Sequence, residues 1–324
     1  MQKYYSKLLI LENNEKECIF CKGRGWQIGF EPNPSCHILG GSNGELAQEI
    51  VVYSNSIERA QYVVDLVFAA YCLLVGEILA DEPNRVFPKR PETVDETEDQ
   101  LMAGGGERIG VCYLPVACMI AAKASQRLAY QYALFKHIAS HRIVSLGVNA
   151  LDPQLGWESG AAVSSFPEEH VFYAYAIVLG YSVLEELSIE IRASSKQPSM
   201  ISGLWNPPVK QDLEDRLVKA NVDISEHVIW HLRDTPTKIE RNRPLRSQGK
   251  CEWASARVRD SYVEIIDAIN NASWLRSRVS AHRFSPMAKS LTVYDVANVQ
   301  HLARRLLLEV LGYWRYWQSY PEDV

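Results

Sequence analysis

An α+β fold class follows from two changes of pattern along the chain. β-prone runs separated by turn residues occupy residues 1–55, and apolar residues at helical spacing dominate from Glu168 to the C-terminus. Between them a Pro- and Gly-containing stretch, 151–167, reads as a connector. The expectation is a small β-rich N-terminal part with helices over 1–150, followed by an all-α bundle over 168–324. A chain of 324 residues is long enough to give each part its own core.

The strands come first. Leu8-Leu9-Ile10, Trp26-Gln27-Ile28-Gly29-Phe30 and Ile50-Val51-Val52-Tyr53 are β-prone. Asn13-Asn14, Pro32-Asn33-Pro34 and Gly40-Gly41-Ser42-Asn43-Gly44 punctuate them, which predicts a small antiparallel sheet. Ser56 has the side chain of an N-cap, and a helix is expected from Ile57 to about Ala80. Residues 81–107 hold eight acids against three bases, with Pro83, Pro88, Pro91 and Gly104-Gly105-Gly106, and read as a solvated loop. A second helical stretch runs from Pro115 to about Val144.

Beyond the connector every segment reads as helix. Glu169–Ala193 is nearly continuously apolar and predicts a buried central helix, broken by Pro198–Pro208. Asp212–Ala220 is a short amphipathic helix with Leu213 and Leu217 inward, and Glu226–Arg233 reads as another. Residues 233–259 carry eight bases and three acids, a local balance of +5, on a Pro- and Gly-containing loop. Trp253 to about Val279 is expected as one long helix, with Val258, Tyr262, Ile265, Ile269 and Ala272 at helical spacing. Thr292–Trp317 is the last, with Val299, Leu302, Leu306, Val310 and Tyr313 on one face.

Composition narrows the function classes. A net charge of −5 gives no overall polycation, so any nucleic-acid contact has to be local. Seven irregularly spaced cysteines do not form a secreted disulfide framework, and a cytoplasmic location is expected. The N-terminus MQKYYSKLLIL lacks the pattern of a signal peptide. Tyr62–Ile78 is the most apolar stretch, but Asp65 and Glu77 lie within it; a buried helix is expected and no membrane association.

The segment Trp274-Leu275-Arg276-Ser277-Arg278-Val279-Ser280-Ala281-His282-Arg283 closes one long helix, and another opens near Tyr294-Asp295. An Arg followed after a few residues by a His, at the end of one helix and before the last helix of a bundle, resembles the HEPN family (higher eukaryote and prokaryote nucleotide-binding helical domains). The Apea-like branch found in bacterial defence genes is the best match. Arg276 and His282 have five residues between them, and the resemblance covers about half the chain. It implies a homodimeric, metal-independent endoribonuclease, a toxin or effector in antiviral defence, with a possible protein partner in a defence complex and no cofactor. In that chemistry the ribose 2′-OH attacks the adjacent phosphate. His282 moves the proton, and Arg276 holds the phosphate with its planar fork.

On a straight α-helix six residues turn the chain by roughly 600°, leaving Arg276 and His282 about 120° apart. Arg278 and His282, at i and i+4, share a face. Either the helix bends near Ser280, or Arg278 is the working arginine, or the site assembles across a dimer. Ser277, Ser280 and Arg283 are further candidates beside the site. Arg241, Arg243, Arg246 and Lys250 of the basic loop, with Arg283, are the candidate RNA-binding residues. Glu185-Glu186 can orient the arginine, or form a salt bridge without function. The alternative class is a non-catalytic helical dimerisation module that binds nucleic acid or a partner protein.

Three other patterns carry less. Cys18-Ile19-Phe20-Cys21-Lys22-Gly23-Arg24-Gly25 is half a zinc knuckle, and Cys36-His37 is the nearest supply of a second pair; two half-buried thiols are the expectation. His227 and His231 sit at i, i+4 on the expected helix, with packing preferred over metal. His137 and His141 share that spacing and read as surface residues.

Overall fold

In the computed structural model the described residues are 1–10, 18–37, 46–76, 86–89, 113–148, 167–233, 238–242, 244, 251–253, 258–280 and 287–315. The chain divides into two compact units, Met1–Gln131 and Tyr132–Val324. The division falls inside a helix, and 151–166 of the expected connector lie outside the described residues.

The first unit is built on an antiparallel sheet. Its strands are β1 (Gln2–Ile10), β2 (Cys18–Gly23), β3 (Trp26–His37), β4 (Leu46–Ser54) and β5 (Val86–Phe87), in the order β2-β3-β4-β1-β5. The register sets Tyr4 and Ile28 on either side of Val52, and Phe30 beside Ile50. All five are buried, as period-two alternation requires of one sheet face. Lys3 and Gln27 flank Tyr53 on the other face, where Lys3 pairs with Glu31.

Helix α1 (Ile57–Val75) begins where expected: the Ser56 hydroxyl accepts from Arg59 N at 3.2 Å. It stops before the expected Ala80, because Gly76 turns left-handed at φ 85° and donates to Cys72 O at 2.8 Å. The helix expected over Pro115–Val144 is two helices, α2 (Tyr113–Ala124) and α3 (Leu128–Val148). At the break, Ser125 Oγ donates back to Ala122 O at 2.7 Å and Gln131 Nε2 donates to Ser125 O at 3.1 Å. Among the described residues no helix is long and apolar enough to cross a membrane.

The second unit contains α3 from Tyr132, α4 (Pro167–Glu186), α5 (Pro207–Lys219), α6 (Lys238–Asn242), α7 (Ile265–Trp274) and α8 (Val293–Leu311). The α+β class holds, yet this part is not all-helical. A hairpin, β6 (Met200–Ile201) with β7 (Leu204–Trp205), follows α4. Strands β8 (His227–Arg233), β9 (Cys251–Trp253) and β10 (Val258–Glu264) form a second sheet in the order β8-β10-β9.

Of Glu226–Arg233, expected as helix, His227–Arg233 is therefore a strand. Val228, Trp230 and Leu232 are buried and Ile229 is exposed, an alternation only a strand produces. The helix expected from Trp253 starts only at Ile265, because β10 pairs with β8 along its whole length. The Asn298 side chain of α8 occupies the outer edge of β8. It donates to His231 O at 2.9 Å and accepts from His231 N at 2.7 Å, in place of a further strand.

Helix α4 ends at Glu186, short of the expected Ala193. Ser188 adopts φ 59°, and Ser188 N and Ile189 N bond to Glu185 O and Leu184 O, a Schellman closure. α8 opens on Thr292, whose N–H and hydroxyl both donate to Asp295, and ends at Leu311 rather than Trp317 because Gly312 is left-handed. Val299, Leu302 and Leu306 are buried as expected, as are Leu213 and Leu217 of α5. α8 lies against α4 and α3 at Gly180, where a Cβ would meet Val299 Cγ1 at 3.1 Å and Ser140 Oγ at 3.4 Å. Ser140 ties the three helices: its hydroxyl donates to Ala176 O at 2.8 Å and accepts from Gln300 Nε2 at 3.1 Å.

Candidate functional site

The α7 helix does not continue as α-helix into the Arg-rich segment. Leu275–Ser280 forms a π-turn, a form concentrated at functional sites because its extra residue redirects side chains. Leu275 and Val279 anchor the turn in the core, while Arg276 is half-buried and Arg278 exposed. The offset of about 120° worked for a straight helix does not describe this segment.

Arg276 reaches the C-terminal end of α4, where its Nη2 pairs with Glu185 Oε1 at 3.1 Å. The two side chains are 39% and 36% exposed, so water screens the pair and it adds at most about 1 kcal/mol of stability. Its consequence is geometric. One carboxylate oxygen holds one N–H of a five-donor fork and leaves the remaining donors available. The partial negative charge at a helix C-terminus adds to the attraction.

Neighbouring side chains fix this end of α4. Tyr181 accepts from Ile191 N at 3.0 Å. Burial pushes its phenol above the ordinary range, against the opposing pull of Ser273, so it stays protonated. Glu186 pairs with Lys136 of α3 at 2.6 Å. Arg216 of α5 donates to Ser188 O at 2.8 Å and pairs with Asp212 at 2.8 Å. Ser280 Oγ is buried with no hydrogen-bond partner among the described residues. Sequence spacing could not have found Tyr181, Lys136 or Arg216, because each comes from another element.

Of the expected catalytic set, Arg276 and Arg278 share the π-turn. His282 and Arg283 lie outside the described residues, as do Arg243, Arg246 and Lys250 of the basic loop. Arg241 is exposed on α6.

The other histidine patterns resolve differently from expectation. His227 and His231 lie on β8, where four residues span about 13 Å, too far for one ligand pair. His137 is not on the surface: it is 1% exposed, its ring edge-on to His141 at 4.7 Å, and among the described residues neither of its nitrogens has a hydrogen-bond partner. Burial, then His141, Arg304 and His301, holds His137 well below the usual imidazole range, so it is neutral. Burial and Arg304 push His141 down to about 4. His231 and His301 continue the cluster with rings 5.5 Å apart. Among the described residues no group of three or more His, Cys, Asp or Glu side chains is placed to hold a metal ion.

The glycines of the Cys18–Gly25 segment serve a hairpin. A Cβ at Gly23 would lie 2.1 Å from the Trp26 ring, and Gly25 turns at φ 78° between β2 and β3. Cys36 and His37 fall on β3, away from this turn. In comparison with known proteins, the chain matches no family model, no curated protein and no solved structure.

Proposed function

We propose that this chain is a metal-independent endoribonuclease of the HEPN type, a homodimeric effector of bacterial antiviral defence acting on RNA in the cytoplasm. The observation that supports it most is the Arg276–Glu185 pair, which aims a half-exposed guanidinium from a π-turn. A guanidinium held at one edge can present its other N–H groups to a scissile phosphate, where charge accumulates in the transition state. His282, six positions on, supplies the group that takes the 2′-OH proton or returns one to the leaving oxygen. Arg278, exposed on the same turn, offers a second phosphate contact. The basic residues Arg241, Arg243, Arg246 and Lys250, with Arg283, would track the RNA backbone. The N-terminal part, residues 1–150, would sense a trigger or bind a protein partner in a defence complex.

A second reading is favoured by the same pair: Glu185 neutralises Arg276, as in a structural tie within a module that dimerises and binds nucleic acid or protein without cutting. Cleavage of labelled tRNA and total RNA in EDTA separates the two. The nuclease predicts cutting by the wild type, loss of at least about 100-fold in His282→Ala and Arg276→Ala, and a smaller loss in Glu185→Gln, all with unchanged circular dichroism. Cutting that survives both His282→Ala and Arg276→Ala, or binding of RNA without any cutting, supports the non-catalytic module.

A further inference from the structure

The first unit contains a pair of thiols that none of the chemistry above uses. Cys21 sits on β2, the edge strand of the five-stranded sheet, and Cys118 on α2, the helix that packs against that strand. A bulge between Ile19 and Cys21 breaks the β2–β3 register, so that Ile19 faces Gly29 and Cys21 faces Ile28. The extra residue is Phe20, which is exposed and rests on Phe30 with ring centres 5.0 Å apart. Directly opposed residues of an antiparallel pair share a face, and Ile28 is fully buried. The bulge therefore turns Cys21 from the alternation that would carry it outward and aims it at the helix-covered face. There its sulfur donates to Cys118 O at 3.5 Å. Neither sulfur is in a disulfide. Cys21 is half-buried and open to a small oxidant, while Cys118 is fully buried.

We propose that Cys21 and Cys118 form a two-electron oxidation site, which hydrogen peroxide converts to a disulfide fastening edge strand β2 to helix α2. In the first step the Cys21 sulfur attacks one peroxide oxygen; the O–O bond breaks, water leaves, and Cys21 becomes a sulfenic acid. In the second the Cys118 sulfur displaces the hydroxyl from Cys21. The S–S bond forms as the S–O bond breaks, and the Cys118 proton leaves with the hydroxyl as a second water. One peroxide is reduced to two waters and two thiols are oxidised to one disulfide. Burial, and then the neighbouring Cys21, keep Cys118 protonated until its proton transfers to the departing hydroxyl, which makes it the resolving partner and the more exposed Cys21 the first to react.

The test is peptide mass mapping of the whole protein, under non-reducing conditions, after a stoichiometric pulse of hydrogen peroxide. The expected result is a single linked peptide pair joining Cys21 to Cys118, reversed by dithiothreitol, with Cys72 still alkylatable. The thermal midpoint should rise by several degrees on oxidation, and that rise should vanish in Cys21→Ser and in Cys118→Ala. The wild-type mapping stands even if the core variant folds poorly. A link between Cys18 and Cys21, or sulfinic acid at Cys21 with Cys118 still free, overturns the proposal.

Discussion

Acidification should loosen the second unit through its buried imidazoles. The perturbation is protonation of His141, whose folded value near 4 lies below its ordinary 6.5 because of burial and the Arg304 guanidinium. Between those values the unfolded chain binds a proton that the folded chain refuses. Stability is thus complete above about pH 6.5 and falls as pH drops towards 4. At about 1.4 kcal/mol per pH unit, the gap from 6.5 to about 4 corresponds to about 3 kcal/mol for His141 alone. His137 acts in the same direction, since burial, and then the positive charge of His141, Arg304 and His301, oppose its protonation. The assay is urea unfolding, followed by circular dichroism, at steps between about pH 7 and pH 4. Carboxylates contribute to the same slope, so the decisive comparison is with His141→Gln, which cannot titrate. Its loss of stability across this window should be smaller than the wild type's by about 2–3 kcal/mol. Equal slopes in the two proteins, or a wild type that gains stability in acid, would refute the reasoning.

Three packing predictions follow from the core. Leu302→Ala, at a buried position on α8, should lower unfolding free energy by about 2–5 kcal/mol in a denaturant titration. Gly23→Ala places a methyl group inside the Trp26 ring and should cost about 1–3 kcal/mol, with a change in tryptophan fluorescence reporting the shifted ring. Asn298→Ala removes both bonds to the edge of β8 and should cost about 1–3 kcal/mol, with faster amide exchange at His231 as its local signature.

The misread segments share one cause. Four residues make a whole number of strand repeats and also slightly more than one helical turn, so an i, i+4 spacing fits both. His227 and His231 fit a helix on spacing, yet Val228, Trp230 and Leu232 alternate with Ile229, and sheet pairing with β10 selected the strand. Val258 and Tyr262 were equally ambiguous, and the true helix begins only at Ile265. Helix ends governed by Gly76 and Gly312 carry a visible stop signal, whereas Ser188 in a left-handed conformation does not. The arginines of the π-turn were legible as a motif, and Glu185 as a possible partner, but the π-turn itself was not.

What the sequence alone determined is local: the α+β class, the first strands, the Ser56 cap, and the buried character of α1, α4 and α8. These depend on period, capping chemistry and turn residues within a few positions of one another. Only the tertiary structure decided which groups meet across long stretches of chain. It joined Asn298 to His231, Glu185 to Arg276 and Cys21 to Cys118, and it buried His137 among other basic side chains. Such meetings depend on how whole elements pack, and side-chain packing at one crossing, as at Gly180, is set by residues that no local pattern connects.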